Sequence, residues 1–278
     1  QLASDFKLVL KMFNQNRKIG FKYKVRKDFD ADVIFANVRT MKKYLTKYKK
    51  DEFVYIIFDE THHAKAKTYL DILNYFTPKF WLGMTATPER PDKQDILSIY
   101  DKNIIMEVSE KEAIDNKWIR PYKIVALWDK WCDFNGIRGY FNKEGFFKYN
   151  IKDVGKKYLV PERIEGIIDI LKNGIHKNGF NFDGIGKLKG LYFCPRVIVT
   201  KRYCKEFNKA GIKSAYLEGK TKSEKREEIF RDFEDGKIQL IFNVNLIGEG
   251  MHIKGVDLVI MDRPTESFVL WNQAKGRQ

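Results

Sequence analysis

The stretch VYIIFDETHHA at 54–64 sets two carboxylates, Asp59 and Glu60, at the end of an apolar run. In a sheet, both acids would stand at a strand's C-terminal end, the edge where α/β folds bind ligands. One carboxylate there can hold Mg²⁺, and its neighbour can activate a water for in-line attack on a γ-phosphate. The same residues also read as an ordinary strand closed by an acidic turn. His62 and His63 follow at once, so a metal-dependent nuclease built on Asp59, Glu60, His62 and His63 is a further reading. Adjacent side chains on an extended segment point apart, and no third His or Cys stands nearby, which weighs against a metal cluster.

Three later stretches carry polar residues in loops. LGMTATPER at 82–90 places Thr85 and Thr87 just beyond an apolar run, or is a turn stopped by a proline. NVNLIGEGMHIKGVDLVIMDRPTES at 243–267 carries Gly248, Glu249 and Gly250 between two strand-like runs. Its glycines permit close backbone approach to a ligand, and a plain βα loop is the other reading. WNQAKGRQ at 271–278 offers Gln273 and Arg277 to a phosphate, or is a solvated helix face.

These residues need strands and helices to hold them. Apolar runs at 31–37, 53–58, 79–84, 123–128, 190–194, 213–217, 238–244 and 257–262 predict strands. Helical patterns at 39–49, 65–75, 161–173, 198–210 and 222–234 lie between them. Strands separated by helices of this length predict an α/β fold with mainly parallel sheets. A proline near Trp118 to Pro121 interrupts the rhythm and sets a boundary between domains at 1–118 and 119–278. Segments 129–160 and 174–190 fit the rhythm poorly, and the second reads as a glycine-rich surface loop.

The 278 residues suffice for about two domains and a sizeable core without staples. The net charge of +15 favours a polyanionic partner, nucleic acid first. The basic residues are 39 Lys against 13 Arg, a bias that codon usage alone can produce. Segment 11–27 has seven Lys or Arg, no acid, and Phe13, Phe21 and Tyr23 interleaved. It reads equally as a track for a phosphate backbone and as a solvated face. The three cysteines form no CxxC pair, so a disulfide scaffold or structural zinc is not expected. No run approaches the ~18 apolar residues of a membrane span, and no signal peptide opens the chain. A soluble, cytoplasmic, nucleoid-associated protein is expected. Gln1 is not Met, which reads as a piece of something longer.

Taken in order, DETHH, TATP, GEG and QAKGR resemble the superfamily 2 helicase core of the DEAH/DExH type. The downstream half is similar to the second RecA-like domain of bacterial and phage DNA helicases and type I and III restriction motor subunits. The resemblance implies two RecA-like domains, ATP and Mg²⁺ as cofactors, and DNA rather than RNA as the partner, with nuclease or restriction subunits in the parent. It implies that Asp59 and Glu60 are the acids of motif II (Walker B) and that His62 couples the nucleotide site to motif VI. Thr85 and Thr87 match motif III; Gly248, Glu249 and Gly250 match motif V; Gln273, Gly276 and Arg277 match motif VI. Arg39 and Thr40 in the first domain, and Arg196 and Lys201 in the second, lie where the family contacts the nucleic-acid backbone.

The sequence also departs from the family. No G-x-x-x-x-G-K-S/T occurs, and the family's motif I precedes the acids by more than the 58 residues that stand before Asp59. The expectation is a first domain lacking its N-terminal part, a motif VI cut at Gln278, and a fragment inactive alone. Gly219-Lys220-Thr221 mimics the loop's ending, but Ser214 stands where its first glycine belongs. A phosphate cradle needs that glycine-rich backbone. Gly184-Ile185-Gly186 reads as a loop, with no strand close before it. Motif V reads Gly250-Met251-His252 where the family has Gly-hydrophobic-Asp. A nucleic-acid-binding module without ATPase activity therefore stays open beside the motor.

Overall fold

The computed structural model describes residues 19–23, 26–27, 31–64, 66–86, 95–141, 145, 147–177, 180–244 and 253–264. The chain divides into two compact units, Gln1–Glu107 and Val108–Gln278. The break falls before the Trp118–Pro121 interruption that the sequence offers as a boundary.

In the first unit, β1 (Ile19–Tyr23) pairs antiparallel with β2 (Arg26–Lys27) and parallel with β3 (Val33–Ala36). Helix α1 (Val38–Lys43) follows, capped by the Asn37 side chain. The helix expected over 39–49 stops at Tyr44, whose φ of −119° and ψ of 14° leave the helical region; a 3₁₀ turn continues it over Leu45–Lys47. Strand β4 (Tyr55–Asp59) leads to α2 (Lys67–Tyr75), and β5 (Phe80–Met84) pairs with β4 in parallel. Inward side chains build a core of Met41, Tyr48, Phe58, Ile72 and Phe76. Phe58 stacks on Trp81 at 5.5 Å and 14°. The 53–58 run reads as wholly buried in sequence, yet Tyr55 and Ile57 on the alternate face are exposed. Hydrophobicity alone does not tell a one-faced from a two-faced strand.

In the second unit, α3 (Glu110–Asp115) is capped by Ser109, whose Oγ accepts from the Glu112 N–H. Residues 123–128 form no strand; Leu127 and Trp128 are exposed. Their apolar pattern is strand-like, but a strand is made by a hydrogen-bonded neighbour, and among the described residues this segment has none. The two irregular segments carry hairpins, β6 (Gly139–Phe141) with β7 (Phe147–Tyr149), and β8 (Ile175–Lys177) with β9 (Phe180–Phe182). Helices α4 (Ile151–Lys157) and α5 (Pro161–Asn173) lie between them. Pro161 sits in the first turn of α5, where its missing N–H costs nothing. Gly174 ends α5 at φ 80°, and a Cβ there would collide with the Phe182 carbonyl oxygen.

Strands β10 (Gly190–Phe193), β11 (Ser214–Leu217), β12 (Leu240–Asn243) and β13 (Leu258–Met261) form one parallel sheet in the order β11-β12-β10-β13. Helices α6 (Val197–Lys209) and α7 (Ser223–Glu234) make the crossovers. Tyr192, Leu240 and Phe242 face one core with Val199, Tyr203 and Phe207 of α6. Leu191, Phe193 and Ile241 face the other with Ile229 and Phe233 of α7. Burial on both faces is the normal state of a parallel sheet and explains the unbroken apolar runs.

Arg163 of α5 is buried where these layers meet. Its Nε donates to Asp129 Oδ2 at 2.7 Å, and its Nη1 and Nη2 take both oxygens of Asp262, at 3.1 and 2.5 Å. Nη1 also reaches the Tyr203 hydroxyl, and the guanidinium lies 3.8 Å from the Tyr158 ring centre. Tyr192 completes the set by donating to Asp262 Oδ2 at 2.7 Å. One cation thus ties the irregular 129–160 segment, α5, α6 and the end of β13. Hydrogen bonding and charge from Asp262 outweigh desolvation and hold the guanidinium protonated.

Two outcomes follow. Arg163→Met would strand two carboxylates and should cost about 3–5 kcal/mol, read by equilibrium denaturation. Cys132, Cys194 and Cys204 are buried free thiols. Burial pushes all three up, Cys204 to about 11. Ellman's reagent at pH 8 should therefore react at least ~100-fold more slowly with the native chain than with the denatured one, which should release all three thiols.

Candidate active site

Parallel pairing sets Asp59 opposite Met84, so β4 and β5 end on the same edge of the sheet. The loop after β4 and the loop after β5 must therefore meet. The chain leaves β4 through Glu60 at φ 52° and ψ 49°, the left-handed region that a non-glycine residue enters only when its surroundings demand it. The Glu60 N–H donates to Asp59 Oδ1 at 3.0 Å, and a 3₁₀ turn over Thr61–His63 follows.

This turn drives two side chains inward: Thr61 is 4% exposed and His62 5%. His62 Nδ1 hydrogen-bonds Thr85 Oγ1 at 2.9 Å and lies 3.3 Å from Glu60 Oε2. The His62 ring thus stands between the Glu60 carboxylate and the Thr85 hydroxyl. Thr61 Oγ1 and the Tyr100 hydroxyl hydrogen-bond at 2.5 Å. Tyr100 comes from the 3₁₀ turn Leu97–Tyr100 and lies over Gly83 of β5. A Cβ at Gly83 would fall 2.5 Å from the tyrosine ring and hydroxyl and 2.8 Å from Thr61 Oγ1.

The structure thus brings together Asp59, Glu60, His62 and Thr85 of the residues singled out in the sequence. Asp59 is exposed at the strand end, and its hard carboxylate oxygens are the donor type that Mg²⁺ takes. Among the described residues no three His, Cys, Asp or Glu side chains gather to hold a metal ion by themselves. Thr87, Gly248, Glu249, Gly250, His252, Gln273, Gly276 and Arg277 lie outside the described residues, as does most of 11–27. Arg39 and Thr40 sit in the first turn of α1 rather than at a strand end, and the Arg39 N–H donates to Asn37 Oδ1. In the second unit Arg196 opens α6, with its aliphatic stem against Gly155. Lys201 bonds Glu218 at 3.0 Å, which raises its pKa. In the Gly219-Lys220-Thr221 segment, Thr221 Oγ1 accepts the Glu218 N–H, so this is a capped turn and not a phosphate loop. Sequence reasoning missed Tyr100 and Gly83. LSIYD carries no pattern that marks Tyr100, and the partner it touches lies 39 residues away.

The described site is a parallel-sheet edge that gathers paired acids, a buried histidine and a threonine beyond the next strand. Residues 1–90 match the family model for the type III restriction enzyme res subunit, and residues 183–278 match the helicase conserved C-terminal domain. A 51.5 kDa protein of a Lactococcus phage is 30% identical over 222 residues, 80% of this chain and 45% of its own length. IRC3 of Saccharomyces cerevisiae, a helicase by name, is 28% identical over 89% of this chain and 35% of its own. The DNA 3'-5' translocase XPB2 of Sulfurisphaera tokodaii is 25% identical over 84% of this chain and 60% of its own. The chain therefore spans less than two thirds of each. In fold it resembles a variant of S. cerevisiae Dbp5 bound to RNA and ADP BeF3 (TM-score 0.54, 11% identity, 98% of this chain and 63% of that one). It also resembles the Mycobacterium smegmatis helicase Lhr bound to ssDNA and AMP-PNP (TM-score 0.51, 14% identity, 97% and 34%). The fold is α/β and RecA-like, and the chain is similar to helicase cores and to the restriction res subunit.

The packing around Gly83 gives a direct outcome. Gly83→Ala should lower stability by about 1–3 kcal/mol, because Tyr100 or Thr61 must move, as read from the denaturation midpoint.

Proposed function

We propose that the chain is the core of an ATP-dependent DNA translocase or helicase, with RecA-like domains over 1–118 and 119–278. The observation that carries this reading is the His62 bridge, which ties Glu60 to Thr85 across two strand ends. Asp59 would hold Mg²⁺ at the exposed end of β4, where the ion would supply charge neutralisation for the phosphates. Glu60 orients and deprotonates the attacking water, and its strained backbone fixes the carboxylate before substrate arrives. His62 lies against that carboxylate and couples it to Thr85 and, with Thr87, to the nucleic-acid side.

In the second domain Gly248, Glu249, Gly250, Gln273 and Arg277 are the nucleotide-handling residues that the resemblance implies. Arg39, Thr40, Arg196 and Lys201 hold the nucleic-acid backbone, which gives affinity without sequence reading. DNA is favoured over RNA because the chain resembles a protein named as a DNA translocase. The likeness to the res subunit supports nuclease or restriction subunits as partners of the whole protein.

The test is ATP hydrolysis by the full-length protein with single-stranded DNA, double-stranded DNA and RNA, beside Glu60→Gln. DNA-stimulated turnover that Glu60→Gln lowers by about 10²–10⁴-fold is expected. Turnover indifferent to Glu60→Gln overturns the assigned base. No turnover, with DNA binding intact and unaffected by ATP, makes the core a binding module.

A further inference from the structure

We propose that Tyr100 is a positioning residue for the hydrolytic site, holding Glu60 through Thr61; this rests on the motor reading above. The chain path requires some such support. Glu60 occupies the left-handed region with no glycine to relieve it. That conformation is costly for a non-glycine residue and must be held by contacts nearby. Its downstream neighbour, Thr61, is buried and anchored twice. The Thr61 carbonyl accepts the Ala64 N–H at 2.8 Å, and its hydroxyl meets Tyr100. The first bond is local and belongs to the turn. Of the two Thr61 bonds, the one to Tyr100 reaches from the turn to another element.

The tyrosine is itself held for this contact. Gly83 is the β5 residue opposite Phe58, and its lack of a side chain opens the space where the ring lies. Any larger residue would occupy the position of the ring and of the Thr61 hydroxyl together. After Tyr100 the chain turns through Asp101 and Lys102, both non-glycine and both left-handed at φ 51° and 59°. Lys102 N–H closes that turn on the Leu97 carbonyl at 2.9 Å, and Ile96 is buried just before it. Two strained turns, after β4 and after Tyr100, thus face each other across one short hydroxyl pair over a glycine. Burial keeps the Tyr100 phenol protonated, so the pair always has a proton to share.

A clamp of this kind acts on the geometry of Glu60, not on nucleotide affinity. Loss of the bond should therefore lower kcat and leave KM for ATP in place. Tyr100→Phe keeps the ring over Gly83 and removes only the hydroxyl; Thr61→Val removes the partner. Both are measured in the full-length protein with saturating DNA. Each should reduce kcat roughly 3- to 10-fold at unchanged KM, as the loss of one hydrogen bond allows. The double variant should be no slower than the slower single one, because both remove the same bond. Wild-type turnover with Tyr100→Phe indistinguishable from it overturns the clamp and leaves the motor reading standing. A rise in KM matching the fall in kcat, with a lowered melting midpoint, overturns it as well, since Tyr100 would then be a packing residue only. A wild-type protein without DNA-stimulated turnover overturns the motor reading, and the clamp with it.

Discussion

Strands β4 and β5 run parallel with Asp59 opposite Met84, and the chemistry of the first unit depends on that register. Slipping the pairing by one residue would turn every side chain of β5 to the other face. Phe58 would lose its stack with Trp81, and Gly83 would leave the place where Tyr100 lies. Thr85 would move away from His62. Core packing on one side of the pair and site geometry at its end are therefore fixed by the same constraint. The aromatic core supplies the energy that the left-handed Glu60 consumes.

The second unit solves a different problem. Its sheet is buried on both faces, so ordinary hydrophobic packing specifies it almost entirely. The irregular 129–160 segment packs Cys132, Val154 and Tyr158 into the same core. A buried guanidinium adds directional contacts to that packing, because five donors in a rigid fork can satisfy two carboxylates and a hydroxyl at once. The ion pair is weak evidence for stability in itself, since burying the charges is costly. Its effect is positional. Asp262 stands at the end of β13, and Arg163 fixes the point from which the chain leaves the sheet toward Gln273 and Arg277.

Sequence reading found the strands of the second unit because parallel, doubly covered strands are continuous apolar runs. Asp59 and Glu60 stood out as paired acids at a strand end, His62 and Thr85 came from the family resemblance, and the structure gathers the four at one sheet edge. Sequence reading erred at 123–128, where among the described residues an apolar pattern pairs with no strand, and at Tyr55 and Ile57, where an apolar run is covered on one face only. The hairpins β6-β7 and β8-β9 were hidden in segments without helical or strand rhythm. Tyr100, Gly83 and Arg163 were hidden for another reason. Their meaning lies in contacts 17 to 99 residues apart in sequence, which no local pattern encodes.

The proposed nucleic-acid face raises one question that energetics can answer. Lys201 is half exposed and bonded to Glu218, and an engaged lysine looks unsuited to a phosphate. An exposed pair of this kind is screened by salt and contributes little to the fold, so exchanging one acceptor for another costs the protein little. A backbone phosphate offers a full charge in place of the carboxylate and releases condensed counterions as it binds. Glu218 holds the Lys201 side chain over Tyr216. Arg196 is held in another way, by packing its stem on Gly155. The two cations at the start of α6 are thus ordered by different means, one by charge and one by packing.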